Sequence, residues 1–133
     1  MRVYITFCSA EKDDSLKSAI TAVSPDVLYK SRRIQSFMRK CREKGVRWGI
    51  LSDQYGVWFS NETHVWYEKH PDSVTEQEFA ALLADFDSKL AAFDEICFCP
   101  GTGEGRIHSL YKRLINQSQL KGKIVQTYYH EIS

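Results

Sequence analysis

Between Glu95 and Leu114 the chain reads E-I-C-F-C-P-G-T-G-E-G-R-I-H-S-L-Y-K-R-L. Gly101, Gly103 and Gly105 recur at every second position after Pro100, and Arg106 and His108 follow them. Glycines let a backbone turn sharply and approach a ligand closely. A helix start adds unpaired N–H groups and a partial positive charge. Ile107, Leu110, Tyr111, Leu114 and Ile115 recur at the spacing of one helix face, so Arg106 and His108 would flank any anion held at its first turn. The spacing G-x-G-x-G-R lacks the lysine and hydroxyl of a P-loop, and it does not follow the first strand as the dinucleotide fingerprint requires. Gly101, Thr102, Gly103, Gly105 and Arg106 are therefore expected to hold the anionic part of a ligand, with a turn whose glycines serve geometry alone as the competing reading.

Three further groups of residues could do chemistry. Cys8-Ser9 closes the first strand, with Lys12 close by in sequence. A reactive cysteine needs a neighbouring cation or helix N-terminus to lower its pKa. Ser9 is expected to bind and Cys8 to be buried, with nucleophilic attack by Cys8 as the competing reading. Tyr29-Lys30-Ser31-Arg32-Arg33 opens a helix. Arginines there oppose the helix dipole by about a few tenths of a kcal/mol each, a conflict that suggests a phosphate or carboxylate partner for Arg32 and Arg33. A solvated basic face is the competing reading. His64, Trp66, Tyr67 and His70 lie in a long segment without either period. They are expected to pack as a cluster, although aromatic residues near a basic helix could also stack on bases. His64 is the member to test as an acid or base, since its ordinary pKa lies near neutrality.

Cys97-x-Cys99 places two thiols on one face of a strand. A structural zinc site takes four ligands from closely spaced pairs, and no second pair accompanies this one, so small buried side chains are expected and no metal or cofactor.

These groups need elements to position them. Val3–Phe7 is a β-branched and aromatic run expected as the first strand. Glu11–Ser24 is polar and read as loop or short helix, and Pro25-Asp26 marks a turn. Ser31 is a plausible N-cap for a helix whose stripe is Ile34, Phe37, Met38 and Cys41, closed by Gly45. Val46–Leu51 reads as the second strand, ending at Ser52-Asp53 and followed by Tyr55 to Phe59. Thr75 with Glu78 starts a second helix carrying Phe79, Leu82, Leu83, Phe86, Leu90 and Phe93. Glu95–Cys99 is the third strand and Lys123–Tyr129 the last.

Strands alternating with helices imply crossover units, and the expected fold is a three-layer α/β/α sandwich with a mostly parallel sheet of about four strands, a single domain spanning 1–133. In such folds ligands collect outside the carboxyl ends of the strands. Cys8-Ser9, Ser52 to Gly56 and Pro100 to Arg106 are expected to converge there on one crevice.

The chain has 133 residues, a formal charge of +1 and 43% hydrophobic side chains, ordinary for a globular domain. So small a charge gives no global attraction to polyanions, and only a local patch could supply one. No apolar run approaches the roughly 20 residues of a membrane span. The chain opens on a strand-like M-R-V-Y-I-T-F, so a cytoplasmic protein with free thiols at Cys8, Cys41, Cys97 and Cys99 is expected.

With C-S-A-E-K at 8–12, P-D-V-L-Y-K-S-R-R at 25–33 and I-L-S-D-Q-Y-G at 50–56, the chain resembles a family of small uncharacterised α/β domains in which C-S-x-x-K leads to L-Y-x-S and then to I-L-S-x-x-x-G. That signature is similar, more distantly, to C-S-x-x-x-P-Y-x-x-S of archaeosine synthase, which acts on a 7-deazaguanine base in transfer RNA. Both resemble the parallel-sheet domain of uracil-DNA glycosylases in fold. The gap between Ser9 and Pro25 is longer here than in the synthase pattern, and no attached RNA-binding domain is expected.

The resemblance implies a pocket for a nucleobase or nucleoside near Cys8, Ser9, Tyr29, Ser31, Ser52 and Gly56. The expected function is a protein that binds a nucleobase, nucleoside or nucleotide, an enzyme such as a transferase or glycosylase modifying a (deaza)purine-like base or transferring a group to or from it. In that role Ser9, Lys12, Tyr29, Ser31, Arg32, Ser52, Tyr55 and Gly56 would contact ligand, and His64, His108 or Cys8 would do the chemistry. The alternative is a non-catalytic module that binds RNA, DNA or nucleotides through the basic helix and aromatic loop.

Overall fold

The computed structural model describes residues 1–18, 20–101 and 107–133. Five strands form one sheet: β1 (Arg2–Phe7), β2 (Trp48–Ser52), β3 (Gly56–Phe59), β4 (Glu95–Phe98) and β5 (Ile124–Gln126). Their spatial order is β3-β2-β1-β4-β5. β1 pairs in parallel with β2 on one side and β4 on the other, and β4 pairs in parallel with β5. β2 and β3 are antiparallel. The fold is thus a mixed α/β domain with a mostly parallel sheet.

The expectation of about four strands is corrected to five. Val57-Trp58-Phe59 directly follows β2 and was not assigned a strand of its own. The Ser52 hydroxyl accepts from the N–H groups of Gln54 at 3.1 Å and Tyr55 at 3.0 Å, which closes the chain into a turn after β2. Gly56 then takes a left-handed φ of +75° and returns the chain along β2. The last strand is also shorter than expected, ending at Gln126, and Tyr129–Glu131 forms a single helical turn beyond it.

Among the described residues four α-helices accompany the sheet: α1 (Pro25–Leu28), α2 (Arg32–Lys44), α3 (Glu76–Leu90) and α4 (Ser109–Gln117). Ser31 caps α2 by accepting from the Ile34 N–H, and Gly45 ends it at φ +63°. Thr75 and Glu78 satisfy each other's backbone N–H groups at the start of α3. The stripe Ile34, Phe37, Met38 and Cys41 is buried, and Phe37 meets Trp48 edge-on at 6.2 Å. α3 buries Phe79, Phe86 and Leu90, while α4 buries Leu110, Tyr111 and Leu114. Alternate residues of a strand point to opposite faces. Thr6 accordingly meets Arg33 of α2, while the ring of Phe7 stacks on Tyr111 of α4 at 5.3 Å. No helix among the described residues is long and apolar enough to cross a membrane.

β3 lies at a sheet edge, yet side chains occupy its outward backbone groups. Val57 N–H donates to Asp85 at 2.8 Å and Lys89 donates to the Val57 carbonyl at 2.9 Å. Phe59 N–H donates to the Glu62 carboxylate at 2.7 Å. An edge blocked in this way offers no template for another strand.

A Cβ at Gly56 would overlap the Asp85 carboxylate that secures Val57, whereas one at Gly45 would meet nothing within 4 Å. Both have positive φ, so the difference isolates the overlap. Gly45→Ala is expected to cost about 1 kcal/mol and Gly56→Ala about 2–4 kcal/mol, read from urea denaturation midpoints at unchanged m-value. Equal losses would refute the crowding at Asp85.

Candidate functional site

Because β1 and β2 are parallel neighbours with Phe7 beside Leu51, the next residues of each strand emerge side by side. The Cys8 N–H donates to the Leu51 carbonyl at 2.9 Å, extending the ladder by one step. Its thiol, in a residue only 8% exposed, lies 3.1 Å from the Tyr111 hydroxyl and 3.7 Å from the Asp53 carboxylate. Asp53 is itself 3% exposed. Ser52 donates to the Tyr67 hydroxyl at 3.2 Å, and that hydroxyl is 2.5 Å from the one on Tyr29. The ammonium of Lys12 lies over the Tyr67 ring at 4.4 Å from its centre.

Burial governs the protonation of this group. It pushes the Cys8 thiol up, and the neighbouring Asp53 charge pushes it further. Burial also raises the Asp53 carboxyl, against the opposing pull of Lys12 and Lys69. The hydroxyls of Tyr29, Tyr67 and Tyr111 are raised by the same cause. The site therefore presents neutral hydroxyls, a protonated thiol and one carboxylate. Such a set binds polar groups and passes protons more readily than it supplies a thiolate nucleophile.

The two arginines at the start of α2 part company. Arg32 is exposed. Arg33 turns back onto the end of β1, donating to Thr6 Oγ1 at 2.7 Å and the Phe7 carbonyl at 2.6 Å, with its guanidinium 4.0 Å from the centre of the Phe7 ring. The conflict with the helix dipole is answered at Arg33 by strand-end acceptors rather than by a bound anion. Gly101 is required beside it: φ is +96°, and a Cβ there would come within 2.9 Å of Arg33 Cδ. Thr102, Gly103, Gly105 and Arg106, the rest of the expected anion turn, lie outside the described residues.

Both candidate histidines have structural partners. His64 stacks on the Tyr55 ring at 3.9 Å, meets Trp58 edge-on at 4.7 Å and exchanges two backbone hydrogen bonds with Val23. Burial lowers its pKa. His108 caps α4, its Nδ1 accepting from the Leu110 N–H at 3.0 Å, and its Nε2 lies 2.7 Å from Asp72. Neither is among the partners of Cys8 and Asp53 in the described residues.

Several expected ligand contacts also serve the fold. Ser31 caps α2, Ser52 closes the turn after β2, the Tyr55 hydroxyl donates to the Val65 carbonyl at 2.9 Å, and Gly56 makes room for Asp85. Ser9 differs from these, since its hydroxyl is buried with no hydrogen-bond partner among the described residues. Asp53 belongs to the Ser52 to Gly56 segment expected at the crevice, whereas Tyr67 and Tyr111 join the site without such an expectation. Asp53 lay within the quoted I-L-S-D-Q-Y-G, whereas Tyr111 had the signature of an apolar helix stripe and Tyr67 that of a loop cluster. Beside Asp53 a cavity of about 290 Å³ opens between the turn after β2 and α3. Among the described residues, no group of three or more His, Cys, Asp or Glu side chains could hold a metal ion.

Fold and site together define a mostly parallel α/β domain with a buried polar cluster at the carboxyl ends of two central strands. No protein-family model, curated protein or solved structure matches the chain.

All four cysteines are buried and free, and burial holds the Cys8 thiol protonated. In the folded protein at pH 7.5 (about one unit below the ordinary cysteine value), iodoacetamide should label Cys8 only as fast as the structure opens, orders of magnitude slower than in urea. Peptide mapping of a labelling time course checks this, and rapid selective labelling of Cys8 would establish a thiolate.

Proposed function

We propose that the protein binds a nucleobase, nucleoside or nucleotide at the carboxyl ends of β1 and β2, and that it modifies this ligand or transfers a group to or from it. The observation that carries this reading is the unspent hydrogen-bonding capacity gathered there. Ser9 has a buried hydroxyl with no partner among the described residues, and Asp53, just past the end of β2, has a buried carboxyl group whose side-chain partner is the thiol of Cys8, the residue before Ser9. Such groups are costly in a free protein and are repaid when a polar ligand meets them.

The same reading takes the fold as a three-layer α/β/α sandwich, which is supported by Phe37 of α2 packing on Trp48, the register partner of Tyr4, while Tyr111 of α4 packs on Phe7 of the opposite face. Ligands of such sheets collect outside the carboxyl ends of the strands. In the chemical step Asp53 is the group suited to take or return a proton, with Cys8 donating to it and Tyr111 hydrogen-bonded in turn to Cys8.

A second reading, a non-catalytic nucleic-acid module, draws on the exposed Arg32, Arg39 and Lys44 of α2. The two differ in their response to salt, because backbone binding weakens steeply as salt rises and a small buried pocket does not.

A thermal-shift panel of nucleobases, nucleosides, nucleotides and deazaguanines tests the proposal. A true ligand at a hundred times its Kd is expected to add about 2.7 kcal/mol of apparent stability, and the shift should survive high salt. Ser9→Ala should leave the free protein as stable or more so, since it removes an unpartnered hydroxyl, and should shrink the ligand-induced shift. No shift with any member of the panel would overturn the pocket.

A further inference from the structure

The two edges of the sheet are finished differently. At β3 the outward backbone groups are taken by Asp85, Lys89 and Glu62. At the other edge, just past β5, the Thr127 N–H donates inward to the Phe98 carbonyl of β4 at 2.8 Å. Successive residues of a strand turn their N–H and C=O groups to opposite sides. Gln126 and the Ile124 carbonyl therefore face away from β4. The Ile124 N–H is spent on the Lys121 carbonyl. Among the described residues nothing meets the Gln126 N–H, the Gln126 carbonyl or the Ile124 carbonyl.

Apolar surface accompanies this open edge. Val125 is 41% exposed and Tyr128 51%. A groove of about 320 Å³ lies between β5 and α4, lined by Phe98, Ile107, Ile115 and Ile124. Ile124 and Gln126 both border that groove, so Val125 points to the opposite face of the sheet. An unblocked, apolar edge is a template for another strand.

We propose that β5 pairs antiparallel with β5 of a second copy of this chain, joining two five-stranded sheets into one about a twofold axis at Val125. The blocked edge at β3 leaves each copy one edge to pair through, so the contact is isologous and closes at two chains instead of running on as a filament. The strand is also its own complement. With Val125 opposite Val125, each Gln126 N–H meets the Ile124 carbonyl of the other copy, and the two exposed valines form a close non-hydrogen-bonded pair. Charge agrees with the direction of pairing. Lys121 precedes β5 and Glu131 follows it, both exposed. Antiparallel pairing lays the Lys121 end of one strand along the Glu131 end of the other, whereas parallel pairing would set like charges together.

Sedimentation velocity of the full chain from about 1 μM to about 1 mM tests the pairing. The weight-average mass is expected to rise from one chain to two and no further. Val125→Lys sets two like charges opposite each other at an exposed position and is expected to weaken the dimer at least about fivefold. Val125→Cys is expected to form an intermolecular disulfide with oxidised glutathione, because the Cα atoms of a close antiparallel pair are about 4.5 Å apart. Tyr128→Cys is the control. It is more exposed but off the axis, and is expected to cross-link about tenfold more slowly or less. The four native thiols are buried and do not compete. Circular dichroism melting checks that each variant is folded, and the wild-type mass series stands on its own if one is not.

A wild type that stays monomeric across the range overturns the proposal and leaves the edge to a strand from another protein. Dimers unaffected by Val125→Lys, or equal cross-linking of the two cysteine variants, place the contact elsewhere and overturn the role of β5. Masses that climb past two chains overturn closure about a twofold axis.

Discussion

The structure depends on β1 being hydrogen-bonded in parallel on both sides. Its register sets Phe7 beside Leu51 and Ile5 beside Phe98, so the carboxyl ends of β1, β2 and β4 finish at neighbouring positions on one edge of the sheet. Cys8 continues the ladder to Leu51, and Cys99 continues it to the Ile5 carbonyl at 2.8 Å. Parallel strands require crossover connections, and those crossovers leave the strand tips free of hairpins. The functional groups are therefore placed by backbone pairing of apolar runs, and the polar residues that follow those runs inherit their positions.

Strand tips also leave acceptors that must be satisfied, and the chain meets this demand differently at each. At β1, Arg33 reaches over from α2 to the Phe7 carbonyl and Thr6, and its stem needs the space that Gly101 leaves at the end of β4. At β2, the Ser52 hydroxyl closes the next turn and ties it to Tyr67. A half-satisfied buried network is less stable than an apolar core. Tyr29, Tyr67 and Ser52 are mutually satisfied and act as scaffold, while Ser9 and Asp53 have capacity left over. That division separates the polar groups whose partners the fold supplies from those it leaves short of partners among the described residues.

The same physics explains what the amino-acid order disclosed and what it concealed. The runs Val3–Phe7 and Val46–Leu51, the stripe from Ile34 to Cys41 and the reciprocal cap at Thr75 are local signals, and each corresponds to an observed element. The parallel α/β character follows from their alternation. β3 was hidden because a four-residue strand beside a turn has too short a pattern to be separated from the preceding one. Arg33 was misread because its acceptors are 25 and more residues away in sequence, so only its conflict with the helix dipole was visible. Tyr111 and Tyr67 each have an apolar ring and a polar tip, and a hydrophobic pattern registers only the ring.

His64 and His108 show the limit of reasoning from residue type. A neutral histidine has one donor and one acceptor nitrogen, and His108 uses its acceptor for a helix cap while its other nitrogen meets Asp72. His64 is held between a backbone bridge and the ring of Tyr55, where burial favours the uncharged form. Each is well explained as a structural residue. Burial raises the pKa of the Asp53 carboxyl, and it also keeps the Cys8 thiol and the Tyr111 hydroxyl bonded to that thiol protonated. A carboxylate in that setting gains most from a ligand that brings its own N–H donors, because each one replaces a hydrogen bond that folding removed.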